Sequence, residues 1–213
     1  MNYRWVASSA AGFIQQVAVC YVRNGYWFYV PGRIPDGKDA GIIDRKLIDK
    51  YGIAQSKWSK RRANLGGQAK MQYIRYGKFF LLLATAGEHR FFEEEAEVIR
   101  DARRKPIRFA GHSVLYREPA GKIVVSIAAD EYRLVKQQLE ELALRRSTAE
   151  MEQEFRQLRY IPYGPVQVQL LRLLRSVNSR RKTAGLERLP TSCLRLQRKS
   201  VKPFDDSEWR TAA

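Results

Sequence analysis

The sequence predicts an α+β fold: antiparallel β-hairpins in repeated ββα units with helices packed on one face, followed by a basic C-terminal helical extension. Three observations carry this reading: a hairpin phrase that recurs, a helix-patterned segment behind each copy, and a change of composition near residue 148. The first copy runs Tyr21-Val22-Arg23-Asn24-Gly25 into Tyr26-Trp27-Phe28-Tyr29-Val30, and the second runs Tyr73-Ile74-Arg75-Tyr76-Gly77 into Phe79-Phe80-Leu81-Leu82-Leu83. A looser third runs Tyr116-Arg117-Glu118-Pro119-Ala120-Gly121 into Ile123-Val124-Val125-Ser126-Ile127. Each strand-like segment ends in a Tyr and an Arg, a turn with Gly follows, and an apolar strand returns. Asn-Gly between β-rich runs is a strong hairpin signal. Three units of roughly 40 to 50 residues make a weak internal repeat.

In chain order, residues 4 to 16 fit either a short helix or the approach to a first strand, and strand is read from Phe13 onward. Val17 to Arg23 and Tyr26 to Gly32 form hairpin one. Pro31, Pro35 and Gly37 break the chain. Asp39 caps a helix through Tyr51, with Ile42, Ile43, Leu47, Ile48 and Tyr51 at helical spacing and Gly52 as the stop. A basic segment follows, Gln55 to Arg62. Hairpin two occupies Lys70 to Ala84, and its all-apolar return strand reads as buried on both faces.

Glu88 to Arg104 reads as a second helix, with Phe91, Phe92, Ala96, Val98 and Ile99 inward. Its glutamates lie early and its arginines late, which matches the helix macrodipole, and Pro106 ends it. Hairpin three spans Arg108 to Ile127. Asp130 opens a third helix with Tyr132, Val135, Leu139, Leu142 and Ala143 as its buried stripe. A polar stretch to Arg159 and the turn-rich Ile161-Pro162-Tyr163-Gly164-Pro165 then lead to a last helix. Val166, Leu170, Leu173, Leu174 and Val177 share one face of it, while Arg172, Arg175 and Lys182 project from the other. The implied division is a core at 1–148 and a basic extension and tail at 149–213.

The balance of 39 Lys and Arg against 22 Asp and Glu leaves a net charge of +17. An excess of that size attracts polyanions and costs self-repulsion in the folded state. Nucleic acid is the first partner it implies and an acidic membrane surface the second, but the last helix lacks the aromatic face of an interfacial helix. Between Arg156 and Lys202 stand 12 basic residues against the single acidic Glu187. Arg supplies most of the excess, which suits bidentate contacts to phosphates and base edges. Hydrophobic content of 45% suffices for a core, so global disorder is not expected. Of the two cysteines, Cys20 reads as a small core residue and Cys193 lies in the basic tail. No Cys or His spacing suggests zinc, and no cofactor is expected. The absence of a signal-peptide pattern and of a membrane-length apolar run reads as a cytoplasmic protein with no membrane partner.

The candidate binding residues combine arginines for phosphates with aromatic faces for bases, the composition of sheet-based nucleic-acid readers. They are Arg23, Arg75 and Arg117 near the hairpin turns, with Tyr73 as a stacking face beside Tyr21 and Tyr116. Lys57, Trp58, Lys60, Arg61 and Arg62 form an acid-free basic segment with an aromatic. Arg172, Arg175, Arg180, Arg181, Lys182, Arg195, Arg198 and Lys199 form a C-terminal phosphate clamp. The expected function is binding of DNA or structured RNA, as a recognition or accessory subunit of a larger protein–nucleic-acid complex of a mobile-element, defence or processing system.

The alternative is an endonuclease or nicking enzyme. His89, His112 and Glu88 are its metal-holding candidates and Tyr132 its nucleophile. This is the logic of nickases with paired histidines and a tyrosine, whose defining pair of histidines flanking one apolar residue is absent here. Glu93, Glu94, Glu95, Glu97 and Asp101 bunch along one stretch, whereas two-metal sites need carboxylates from several elements. No phosphate-binding Gly-rich loop, dinucleotide fingerprint or Ser-centred elbow is present.

Ala40-Gly41-Ile42-Ile43-Asp44 and Ala11-Gly12-Phe13-Ile14-Gln15 are faintly similar to the helix motif of LAGLIDADG homing endonucleases. The second acidic position of that motif holds Lys46 in one match and Val17 in the other, so the catalytic carboxylates do not carry over. The resemblance implies a DNA-binding saddle with lost catalysis.

Overall fold

The computed structural model describes residues 3–55 and 66–204. The Ser9 hydroxyl accepts from Gly12 N at 3.0 Å and starts helix α1, Ala10–Gln15. The chain continues through a π turn, Gln16–Tyr21, and a 3-10 turn, Val22–Asn24, to Gly25, whose φ of 88° ends it. The leading strand of hairpin one is therefore helical. Phe13, Ile14, Val17, Ala18, Tyr21 and Val22 are all buried, a spacing of one and four that belongs to a helix face. Asn24-Gly25 serves as a helix stop, the other structure that needs a left-handed glycine. Cys20, expected in the core, falls on the outer side of the π turn and is exposed, whereas Cys193 is buried.

One sheet contains β1 Phe28–Arg33, β2 Met71–Tyr76, β3 Phe79–Ala84 and the short β4 Arg100–Asp101, in the order β2-β3-β1-β4. Every pairing is antiparallel; Tyr29 faces Leu83 across β1 and β3, and Tyr73 faces Leu82 across β2 and β3. Hairpin two forms as expected, turned by Gly77 at φ 57°. At the β1–β3 pairing a Cβ on Gly32 would stand 2.1 Å from the Phe80 ring, so only glycine lets that ring lie across the strand.

Helix α2, Ala40–Lys50, is capped by Asp39, which accepts from Ile42 N at 3.0 Å. Ile48 and Tyr51 join Ile53, Met71, Tyr73, Leu82 and Phe91 in one core. Ile42, expected inward, is exposed, and Asp44 is buried in its place.

The long helix expected over 88–104 reduces to α3, Arg90–Glu94, a single turn capped by His89. Beyond it the chain folds back: Arg100 and Asp101 pair with Tyr29 and Phe28, and Ala102 N donates to Trp27 O at 2.8 Å. Glu93, Glu94, Glu95 and Glu97 repel one another along any continued helix, and the vacant edge of β1 supplies the backbone with other partners. Val98, expected inward, is exposed.

A second sheet has the order β5-β6-β7: β5 Ile107–Phe109, β6 His112–Arg117 and β7 Lys122–Ile127. The third hairpin is thus present with an added strand. The ββα repeat does not hold across the chain, because its first copy lacks a leading strand and its second is followed by one helical turn. The fold is α+β, with six α-helices and two small antiparallel sheets among the described residues.

Three helices complete the chain: α4 Ala129–Leu142, α5 Thr148–Gln157 and α6 Gly164–Thr183. The α4 stripe faces inward as read: Leu139 and Ala143 are buried, and Tyr132, Val135 and Leu142 pack against the same core. All five apolar residues expected on the inner face of α6 are buried there too. α5 was read only as a polar stretch. Its signal is the capping box at Ser147, which accepts from Glu150 N while the Glu150 carboxylate accepts from Ser147 N at 2.9 Å. Two compact units result. One takes the described parts of 1–107, 115–123 and the residues from 201; the other takes 108–114 and 124–200. The second unit already includes α4, so its limits differ from the boundary read at 148. No described helix is long and apolar enough to cross a membrane.

Candidate nucleic-acid interface

The candidates on the first unit separate into core and surface. Tyr73 is fully buried; its hydroxyl donates to Asp44 Oδ1 at 2.5 Å, and burial followed by the Asp44 carboxylate holds its pKa well above the phenol range. Arg75 Nε lies 2.9 Å from both oxygens of Asp44, and its Nη1 donates to Gly77 O at 2.7 Å. Trp5 Nε1 adds a third donor to the same carboxylate at 3.0 Å. These groups saturate a buried anion, and Tyr73 offers no face to a base. Tyr21 is buried as well, while Tyr116 is half-buried with its ring 5.1 Å from that of Trp27. Arg23 and Arg117 are exposed. Lys57, Trp58, Lys60, Arg61 and Arg62 lie outside the described residues.

Both histidines serve the fold. His89 Nδ1 accepts from Phe91 N at 3.1 Å as the cap of α3, and burial lowers its pKa. His112 is buried, with Nε2 accepting from Ile161 N at 3.0 Å. That bond puts the ring proton on Nδ1, which donates to Ala110 O at 2.8 Å. Desolvation lowers the pKa of this imidazole. Glu88 is exposed, and Tyr132 packs its ring against the core of the second unit. Among the described residues no three His, Cys, Asp or Glu side chains come together in a way that suits a metal ion.

On the second unit the basic residues of α6 divide by face. Arg181 points inward and is 2% exposed. It donates to Ala143 O at 2.8 Å, Arg146 O at 2.9 Å, Glu187 O at 2.7 Å and Thr148 Oγ1 at 3.0 Å. Two of those acceptors are carbonyls at and just beyond the C-terminal end of α4, the negative pole of that helix. Arg181 is therefore a fold residue. Arg180 is exposed and reaches Glu140 at 3.5 Å. Arg195 and Lys199 are exposed, and Arg198 stacks 4.2 Å above the Tyr163 ring.

Arg172, Arg175 and Lys182 occupy the solvent face, and two of them line a groove. After Lys182 the helix ends at Gly185, φ 70°, whose N–H donates to Lys182 O at 3.1 Å. The chain then returns alongside α6. Asn178 fixes the return by accepting from Leu189 N at 2.8 Å and donating to Leu189 O at 2.9 Å. Leu189, Cys193 and Leu194 anchor it in the core.

Between helix and return lies a groove of about 420 Å³. Arg175, Lys182 and Arg188 supply its charge, Ser179 and Thr191 its hydroxyls, and Leu171 and Leu174 its apolar floor. No carboxylate lines it, and among the described residues none of the three cations forms an ion pair. Arg188 and the two hydroxyl residues were missed because they sit in an irregular segment and on a helix flank, where nothing in the sequence shows that they face Arg175. The acid-free run from Arg156 was the available signal. No protein-family model matches the chain, and no curated protein matches it significantly.

Proposed function

We propose that this protein binds nucleic acid through the cationic groove on α6, as a recognition or accessory component of a larger complex. The observation that supports this reading is the groove's charge: three cations around one concavity with no acid in its lining. Like charges held together cost self-repulsion unless a polyanion neutralises them. Arg175 and Lys182 are seven residues apart on one helix, about 10 Å along its axis, and Arg188 lines the same groove from the irregular segment that returns alongside. Such a set contacts several phosphates of one strand. Arg172, Arg195 and Lys199 are exposed on the same unit and add to its positive charge.

Fluorescence anisotropy over a salt series, with duplex DNA, single-stranded DNA, duplex RNA and hairpin RNA, tests the reading. Three phosphate contacts give a log–log slope of about −2 to −3. The double substitution Arg175→Glu with Lys182→Glu should abolish most of the affinity and flatten the slope. Unchanged binding by that variant places the contact elsewhere and refutes the groove.

A further inference from the structure

A second hollow adjoins the groove. It measures about 440 Å³ and is lined by Leu144, Ser179, Arg180, Thr183 and Ala184. Ser179 is common to both hollows, so the ridge between them is a small hydroxyl side chain. Each hollow pairs apolar floor with cationic rim: Leu171 and Leu174 with Arg175, Lys182 and Arg188 in one, Leu144 with Arg180 in the other. Leu144 is 51% exposed, an apolar side chain held open to solvent beside an arginine.

A duplex presents a convex ridge of phosphates with its bases stacked inside, and that shape leaves an apolar floor unfilled. A single strand has unstacked bases that enter concave sites while its phosphates stay at the rim. We propose that a single-stranded nucleic acid crosses α6 at Ser179, with phosphates on Arg175, Lys182 and Arg188 and with bases set against the leucine floors of the two hollows. This rests on the groove being the nucleic-acid site and adds the strandedness and the base contacts. The hydroxyls of Ser179 and Thr191 serve as donors to backbone oxygens along the path, while that of Thr183 is already given to Ser179 O at 3.1 Å. Aliphatic floors carry no hydrogen-bond code, so the contact is tolerant of sequence.

Three fluorescent probes distinguish the outcomes, each measured by anisotropy: a short thymidine oligomer, the same sugar–phosphate backbone with every base removed, and the oligomer paired in a duplex. The base-free probe should bind about tenfold more weakly than the oligomer, the loss expected for about 50 Å² of apolar contact, and the duplex more weakly as well. Leu144→Ser should weaken the oligomer severalfold and leave the base-free probe unchanged, and because Leu144 is half exposed this variant keeps its fold. Equal affinity for oligomer and base-free backbone, or tighter binding of the duplex, overturns the inference while the groove remains a phosphate site. If no probe binds even at low salt, the proposed function falls with it.

Discussion

Asp44 and Arg75 meet inside the first unit, with Arg75 Nε 2.9 Å from both carboxylate oxygens of a residue that is 1% exposed. Trp5 and Tyr73 complete the ring of donors, so one anion on α2 ties the helix to β2 and to the N-terminal segment. That segment runs beside β2, where Ala7 N donates to Arg75 O and Arg75 N to Trp5 O, each at 2.7 Å. Asp44 also occupies the first acidic position of the helix match that resembles the homing-endonuclease motif, and here it is spent on the fold.

Replacing Asp44 with Ala should cost about 3 to 5 kcal/mol, because it strands a half-buried guanidinium, an indole N–H and a phenol together. Urea denaturation measures this directly. A loss below about 1 kcal/mol would show that water replaces the carboxylate and that the network is not what joins α2 to the sheet.

Arg181 and Lys182 are neighbours with opposite duties. Arg181→Met should lower stability by about 2 to 4 kcal/mol, since it removes four hydrogen bonds and leaves the carbonyls at the end of α4 without partners. Lys182→Ala should leave stability within about 0.5 kcal/mol and weaken nucleic-acid binding. Chemical denaturation and anisotropy on the two variants together check the division. Similar stability losses in both would remove the distinction between the buried and the solvent face of α6.

The capping box at Ser147 has a pH signature. Hydrogen bonds from the Ser147 backbone and hydroxyl, followed by that from Arg146, pull the Glu150 pKa from 4.5 down to about 2. A carboxylate depressed in the folded state adds stability above its unfolded pKa, and that contribution is lost as the pH falls from about 4.5 to about 2. Wild type should therefore exceed Glu150→Gln in urea midpoint near neutrality, and the gap should close as the pH drops through this window. A gap that stays constant to the acid end would assign the difference to something other than the ionised carboxylate.

Much of the fold was legible because local signals and the tertiary fold agreed. Asp39 caps α2, Gly77 turns the second hairpin, and the five apolar residues of α6 all reach the core. The errors arose where two structures share one signal. Val17 to Arg23 is rich in β-branched residues and ends in Asn-Gly, yet its buried residues follow the one-and-four spacing of a helix. Phe91 to Ile99 has a helical pattern, but the open edge of β1 draws Arg100 and Asp101 into a strand.

By itself the sequence determined the class, the second and third hairpins, the cap of α2, the stripes of α4 and α6, and the concentration of positive charge after Arg156. Charge and periodicity are properties of residue order, so they are read without coordinates. Only tertiary structure decided which charges face water. Arg75 and Arg181 look no different in sequence from Arg175 and Arg188, and whether an arginine is buried depends on acceptors many residues away. Asp44 lies 31 residues from Arg75, and Ala143 lies 38 from Arg181. The groove too depends on folding: Asn178 holds Leu189, 11 residues on, and that clasp brings Arg188 into the groove that Arg175 lines.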